Sequence, residues 1–100
     1  MKKIEFYTMI MRNNKERAEL VKGYTDGTFY YYRTDVGFWH AVHPMVGLSV
    51  CCRGSRREVI KDAYNPFFVK RINDEIDKRE AVLSAAYRVA IAEAQEVVHQ

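Results

Sequence analysis

The sequence is poor in the residues and patterns that define several classes of protein. Its 100 residues include only two cysteines, two prolines and five glycines, which excludes disulfide-stapled, collagen-like and proline-rich chains. No run approaches the roughly 20 consecutive apolar residues of a membrane-spanning helix, and Met1-Lys2-Lys3 leads into a strand pattern rather than a signal peptide. With 48% hydrophobic residues, the chain predicts a single cytoplasmic domain, residues 1–100, that does not contact a membrane.

The sequence also lacks the motifs of common enzymes. It contains no G-x-S-x-G, P-loop, G-x-G-x-x-G or H-E-x-x-H pattern. The adjacent pair Cys51-Cys52 is unsuited to a disulfide, because neighbouring side chains of a strand point to opposite faces, and two free thiols fit a reducing cytoplasm. His40 is expected opposite Cys51, but two ligands fall short of the four in a structural zinc site. We therefore predict a protein that is not an enzyme and uses no metal or cofactor.

Positive charge is concentrated in the middle of the chain. The whole sequence carries 16 Lys and Arg against 13 Asp and Glu, a net charge of +3. Residues 51–72 hold six cations and two acids, so +4, whereas residues 73–100 hold three cations and six acids, so −3. This distribution predicts a folded molecule with a basic part and an acidic part. It argues against mimicry of a nucleic-acid duplex, which needs an acidic surface.

Alternating side chains predict strands throughout residues 1–53. Ile4, Phe6, Thr8 and Ile10 recur at a period of two among β-favouring residues. Turn signals follow at residues 13–14, 26–27, 34–37 and 44–47, and the Asp-Gly pair at 26–27 favours a two-residue type I′ hairpin. The result is an antiparallel meander of four or five strands. The number depends on whether residues 15–20 form a short helix or lead into a strand at 18–22.

Counting residues across the predicted turns assigns side chains to two faces of the sheet. If Arg33 opposes Phe38, every later pairing follows, because side chains alternate between faces with a period of two. The face expected to pack under the helices comprises Val21, Tyr30, Tyr32, Trp39, Ala41, Leu48, Val50 and Cys52. The opposite face mixes aromatic side chains with cations and comprises Lys22, Tyr24, Phe29, Tyr31, Arg33, Phe38, His40, Val42, Ser49, Cys51 and Arg53.

Helical patterns occupy the second half of the chain. Ser55-Arg56-Arg57-Glu58 is a capping box, which predicts a short helix over residues 55–64. Asn65-Pro66 begins a long helix over residues 66–98, since proline at the first helical position loses no hydrogen bond. A straight helix of that length would measure roughly 50 Å, against a domain diameter of roughly 26 Å. The helix must therefore break near residues 78–80 or project toward a second chain.

A basic segment surrounds the start of the short helix. Arg53, Arg56 and Arg57 lie beside a helix N-terminus whose amides favour an anion, and Lys61 follows one turn later. Together with the Ser55 cap, they form a candidate site for a nucleic-acid phosphate or an acidic protein loop. The alternative is a well-capped surface helix with solvated arginines.

The aromatic and basic face of the sheet is a second candidate surface. Tyr31, Arg33 and His40, with the neighbouring rings, are residue types that bind single-stranded nucleic acid by stacking on bases and contacting phosphates. The competing interpretation is that the long helix covers this face and makes it part of a two-layer core.

Residues 29–63 resemble a known DNA-binding fold. The order of three strands, the segment Gly-Ser-Arg-Arg-Glu-Val-Ile at 54–60 and a helix is similar to phage-integrase arm-binding domains and their plant transcription-factor relatives. In that family the sheet enters the DNA major groove, so the resemblance implies that Arg33, His40 and Arg53 face bases. The stretch from Trp39 to Ser49 also looks like small phage-type proteins, and both likenesses imply a mobile-element origin.

Two non-catalytic functions are therefore predicted. The first is nucleic-acid binding through the basic helix-cap segment and the sheet face. The second is that of a stoichiometric protein-binding inhibitor or adaptor, anti-CRISPR-like, that acts on a host nucleoprotein complex. A homodimer is also expected, because an apolar stripe of the long helix lies beyond the reach of a small sheet. The stripe comprises Leu83, Tyr87, Ala90, Ala94 and Val97. A kinked helix that folds the stripe back onto the sheet is the monomeric alternative.

Overall fold

The protein is an α+β structure built from one antiparallel sheet and two helices, as the sequence predicts. The computed structural model describes residues 1–99, apart from the side chains of Arg12 and of residues 97–99. The strands pair in chain order, each antiparallel to the next, and so form the predicted meander. The elements are β1 (Lys2–Arg12), β2 (Lys15–Thr25), β3 (Tyr30–Arg33), β4 (Trp39–Val42), β5 (Ser49–Arg53), α1 (Arg56–Ala63) and α2 (Pro66–His99).

The first hairpin is a long, regular strand pair. Asn13 and Asn14 both have positive φ, 51° and 63°, as a type I′ turn requires, and asparagine tolerates this conformation better than most residues. Paired residues then run without interruption from Arg12↔Lys15 to Lys2↔Thr25. Residues 15–20 are therefore strand rather than helix, which makes five strands in all.

The connection between β2 and β3 is longer than predicted. Asp26 Oδ1 accepts hydrogen bonds from the amides of Thr28 and Phe29, both at 2.9 Å, and so builds a loop over residues 26–29 in place of a two-residue turn. Thr25 consequently pairs with Tyr30 rather than with Thr28. This shift of two residues leaves the faces unchanged, because the side-chain period is two.

The connection between β3 and β4 moves the side chains of β4 to the other face. The Thr34 amide donates to the Phe38 carbonyl at 2.8 Å, and Thr34 Oγ1 accepts from the Phe38 amide at 3.2 Å. All of residues 34–38 therefore belong to the connection, and Arg33 pairs with Trp39 instead of Phe38. The predicted register is wrong by one residue here, and a one-residue slip reverses the faces of a strand.

A β-bulge in β5 shifts the register a second time. Ala41 pairs with Cys51, but Val42 pairs with Ser49, so Val50 is the extra residue of the bulge. Because the two one-residue shifts cancel in β5, Cys51 stays on the face of Tyr31 as predicted. The predicted partner of His40 is wrong, since His40 lies opposite Cys52.

The helices cover the face that carries Tyr31, not the predicted face with Tyr32. Tyr31, Ala41 and Cys51 form one cross-strand row, and Tyr31 is 0% exposed. The competing interpretation, a two-layer core under the helices, is therefore the observed one, and the prediction that Tyr31 stacks on bases is wrong. The core around this row also contains Phe29, Val46, Val50, Val59, Ala63, Ile72 and Ile76.

The sheet curls until its first strand meets its last turn. β2 leaves β3 at Gly23, where a Cβ would lie 1.9 Å from the Tyr31 carbonyl oxygen. Beyond that point the β1–β2 hairpin bends away from β3 toward the β4–β5 turn. There the Met9 amide donates a hydrogen bond to the Gly47 carbonyl at 2.9 Å. The concave face of the curl holds a second apolar cluster, formed by Phe6, Tyr32 and Val42 with Ile4, Val21 and Tyr30.

The long helix breaks and folds back over the first hairpin. Arg79, inside α2, has a non-helical φ of −140° and ψ of 27°, within the segment 78–80 where the sequence predicts a break. After it, the Tyr87 hydroxyl donates to the Tyr7 carbonyl of β1. Tyr87 and Ala90 are only 8% and 7% exposed within this one chain. The prediction that they belong to an open dimer stripe is therefore wrong.

The other members of the predicted dimer stripe also face the same chain. Leu83 packs against the core under the helices, and Ala94 lines a groove between the β1–β2 hairpin and α2. The side chain of Val97 lies outside the described residues. Across the described part of the chain, neither helix is long and apolar enough to cross a membrane.

Candidate nucleic-acid interface

Helix α1 begins with the predicted cap, and the cap occupies the side chain of Ser55. The Glu58 amide donates to Ser55 Oγ at 3.2 Å, and the same hydroxyl donates to the Glu58 carboxylate at 3.0 Å. Glu58 thus closes onto the serine side chain, whereas a capping box has it reach the backbone amide. Because its hydroxyl is both donor and acceptor within the cap, Ser55 fixes the start of the helix.

Arg53 is committed to the fold. Its Nε donates to Asp62 Oδ2 at 2.6 Å, and its Nη1 donates to the Cys52 carbonyl at 2.6 Å. The guanidinium also lies over the Phe68 ring, 5.0 Å from the ring centroid. These contacts tie the end of β5 to α1 and α2. Arg53 thus has an acidic partner within the chain, and its contact with a separate anionic partner stays a prediction.

Arg56 and two aromatic rings form an exposed strip beside α1. The Arg56 guanidinium lies over the Tyr24 ring, 5.3 Å from its centroid, and the Trp39 ring centroid is 6.3 Å from that of Tyr24. Arg56 is exposed, and both rings are half-buried. Because the cation–π contact holds the guanidinium against the ring, the three planar groups are arranged before any ligand arrives.

Exposed cations surround this strip. Lys3 pairs directly with Tyr24, and Arg33 pairs directly with Trp39, so both cations lie on the same face as the rings. A shallow pocket of about 460 Å³ is lined by paired residues of β1 and β2, among them Lys22 and the acid Glu5. We call the whole the Tyr24 surface; its members are Tyr24, Trp39, Arg56, Lys3, Lys22, Arg33 and Arg57.

The outer side of α1 extends the positive charge. Arg57 and Lys61 are both exposed and lie four residues apart, so they share one side of the helix. Val59 and Ala63 are 0% exposed and face the core. Arg57 therefore points away from the core beside its chain neighbour Arg56, and Lys61 follows one turn further along the helix.

His40 lies on the concave face, away from the Tyr24 surface. Its ring stacks on Tyr32, with 5.2 Å between centroids and 16° between planes, and its Nδ1 is 2.9 Å from Ser49 Oγ. Burial lowers the pKa of His40 below its usual value, which favours the neutral form of the ring. The prediction that His40 and Arg33 face one ligand is wrong, because they lie on opposite faces of the sheet.

The two thiols lie on opposite faces of β5 and differ in their exposure. Cys51 is buried, its Sγ donates to the Val59 carbonyl at 3.8 Å, and burial raises the pKa of this thiol. Cys52 is exposed on the concave face opposite His40. Within the described residues, no three His, Cys, Asp or Glu side chains converge as metal ligands would.

Trp39 is the residue of this surface that the sequence misassigns. The predicted register places it on the face of Tyr32, whereas the longer 34–38 connection sets it on the opposite face, beside Tyr24. Its predicted packing against the helix-side core is confirmed. Tyr24 is predicted on the correct face, but its contact with Arg56 joins residues 32 positions apart and has no local signal. Knowing the length of the 34–38 connection would have placed Trp39 beside Tyr24.

The arrangement differs from the one implied by the phage-integrase resemblance. That resemblance puts Arg33, His40 and Arg53 together against bases, whereas His40 lies on the concave face and Arg53 is bonded to α1. No protein-family model, curated protein or solved structure matches the chain.

Proposed function

We propose that this protein binds single-stranded nucleic acid at the Tyr24 surface and does so without catalysing a reaction. The observation that carries the proposal is the Arg56 guanidinium over the Tyr24 ring, with the half-buried Trp39 ring beside it. Planar groups of this kind accept bases by stacking, at about 1–3 kcal/mol per base. They are ringed by cations that can contact the phosphates on either side.

A single strand suits this surface better than a duplex. The Tyr24 and Trp39 rings lie side by side on one sheet face, 6.3 Å apart and tilted by 35°, and both are half-buried. Bases within a duplex are already stacked on one another, whereas the unstacked bases of a single strand are free to lie on protein rings. The same chemistry accommodates DNA and RNA.

The charge at the surface indicates moderate, salt-sensitive affinity. Lys3, Lys22, Arg33 and Arg57 are exposed, and Glu5 and Glu58 offset part of their field. If three or four phosphates are neutralised, the logarithm of the binding constant should fall with the logarithm of salt concentration at a slope of about −2 to −3, at ~0.7 per phosphate.

The single tryptophan of the chain makes the proposal directly testable. Titration with unlabelled oligothymidylate or oligouridylate should quench Trp39 fluorescence, and polarisation of a labelled oligonucleotide should give the dissociation constant. Tyr24→Ala should weaken binding about 5-fold to 150-fold, the equivalent of losing ~1–3 kcal/mol of stacking. The double variant Arg56→Gln, Arg57→Gln should weaken oligonucleotide binding at low salt more than Tyr24→Ala does.

The matched control changes two other exposed cations to glutamine. Lys15 and Arg17 lie near the tip of the β1–β2 hairpin, at the far end of β2 from Tyr24. The double variant Lys15→Gln, Arg17→Gln carries the same charge change and should bind as the wild type does. Equal loss in both double variants would mean that only net charge matters, which would contradict the proposed surface.

A protein partner is the second candidate function, favoured by exposed apolar side chains on α2. Phe67, Val82 and Val89 are 66%, 65% and 57% exposed, and Val82 and Val89 lie seven residues apart on one side of the helix. Capture from lysate with and without nuclease separates the two functions. A partner that survives nuclease and is lost with Val82→Ser, Val89→Ser would favour the protein-binding function.

A further inference from the structure

β1 is an edge strand whose outward-facing backbone groups can be identified. In an antiparallel pair, alternate residues direct their N–H and C=O groups toward the partner strand and away from it. The two-residue turn makes Arg12 and Lys15 a hydrogen-bonded pair, so the odd-numbered residues of β1 face outward. Two contacts confirm this, since the Tyr7 carbonyl accepts from Tyr87 and the Met9 amide donates to the β4–β5 turn.

These contacts occupy the outer edge of β1 only from Tyr7 onward. Closer to the start of β1, the outward groups belong to Lys3 and Glu5, whose side chains are exposed. Within the described residues, neither forms a backbone hydrogen bond on that side. A strand edge with free donors and acceptors is a template for another strand.

We infer that this edge pairs with the same edge of a second copy of the chain, antiparallel, about a two-fold axis at Ile4. In that register Lys3 of each copy lies opposite Glu5 of the other. Both pairs lie on one face of the joined sheet, where directly opposed unlike charges stabilise a strand pair. The register centred on Glu5 would instead oppose two carboxylates.

The sequence of the edge is what selects a second copy over an unrelated peptide. A cation and an acid separated by one residue are self-complementary under a two-fold axis, because each copy supplies both members of each pair. Ile4, half-buried in the monomer, meets its counterpart at the axis on the concave face. The pairing ends at Tyr7, where Tyr87 and the Gly47 turn already cover the edge.

Charge reversal tests the register. The wild type should reach twice the chain mass of 11.7 kDa in light scattering as its concentration rises. Lys3→Glu leaves two acids on the edge and Glu5→Lys leaves two cations, so each variant alone should remain monomeric. An equimolar mixture of the two should restore dimers, because every opposed pair is again unlike. Lys15→Glu, the same charge change outside the paired region, should dimerise like the wild type.

A cross-link tests the axis. In a non-hydrogen-bonded pair the Cα atoms are about 4.5 Å apart, which is within the ~4.4–6.8 Å span of a disulfide. Ile4→Cys in a Cys52→Ser background should therefore form a covalent dimer on mild oxidation, and Ile10→Cys in the same background should not. A wild type that stays monomeric at millimolar concentration, dimers that survive both charge variants, or equal cross-linking at residues 4 and 10 would each overturn the inference.

Discussion

Replacing Asp26 with asparagine perturbs a carboxylate that joins three parts of the fold. Oδ1 accepts from the amides of Thr28 and Phe29, both at 2.9 Å. Oδ2 accepts from the hydroxyls of Tyr31 and Tyr64, at 2.7 Å and 2.6 Å. One side chain thereby shapes the β2–β3 loop and connects it to the buried centre of the sheet and to the end of α1.

These hydrogen bonds favour the ionised form of Asp26. Burial alone raises the pKa, but the bonds from Tyr64, Phe29, Tyr31 and Thr28 outweigh it and lower the pKa from 3.8 to about 2. Since the pKa is lowered by folding, the carboxylate stabilises the fold fully above about pH 4 and loses this effect as pH falls through about 2. The shift corresponds to about 2.5 kcal/mol, which solvent screening at this exposed residue reduces to about 1 kcal/mol.

Asparagine preserves one acceptor and removes the other. Its carbonyl oxygen can still accept from the two amides, but an NH₂ group replaces Oδ2. The hydroxyl of Tyr31, a residue 0% exposed, then loses its acceptor, at a further cost of about 1–3 kcal/mol. We therefore expect Asp26→Asn to lower the free energy of unfolding by about 2–4 kcal/mol at pH 7.

Urea unfolding followed by Trp39 fluorescence measures this difference. At pH 3 about half of the ionisation contribution is gone, because the unfolded carboxyl is mostly protonated and the folded one is not. The gap between wild type and variant should therefore narrow by about 0.5 kcal/mol between pH 7 and pH 3. Asp35→Asn, at an exposed acid of the 34–38 connection, should leave stability unchanged. A variant as stable as the wild type at pH 7, or a gap that widens in acid, would refute the reasoning.

Two further changes test the curl of the sheet and the return of α2. Gly23→Ala places a Cβ against the Tyr31 carbonyl and should lower the free energy of unfolding by about 2 kcal/mol, or Tm by ~8–16 °C. The control is Gly54→Ala, whose Cβ would meet nothing within 4 Å. Equal melting temperatures of the two variants would disprove the steric argument. Tyr87→Phe removes the donor to the Tyr7 carbonyl and should cost about 1 kcal/mol while raising amide hydrogen exchange along β1. Unchanged exchange there would contradict the placement of α2.

The element order could be predicted because its signals are local. A period of two, turn residues at 13–14 and 26–27, and the Ser55 cap each act within a few positions. The break at Arg79 is one of the two outcomes that the sequence leaves open, since a straight helix would exceed the diameter of the domain and would otherwise have to project toward a second chain. The faces of β4 were not, because the hydrogen bonds of Thr34 add one residue to a connection whose length the sequence leaves ambiguous.

The candidate site was predicted only in part for the same physical reason. The basic character of Arg56 and Arg57 is visible in the sequence, and both are exposed. Arg53 belongs to the same basic segment of the sequence, yet its guanidinium is paired with the carboxylate of Asp62 in α1. The contacts of Arg53 and Arg56 are set by how the strands and helices pack, and not by the residues beside them in the chain.

The contact between Tyr87 and β1 joins positions 80 residues apart. During synthesis at ~5–20 residues per second, about 4–16 seconds separate the appearance of those two residues. Throughout that interval the hairpin side chains later covered by α2, among them the buried Ala18, stand open to water and to neighbouring nascent chains. The first hairpin therefore gains its cover of α2 only after the last turns of that helix have been synthesised.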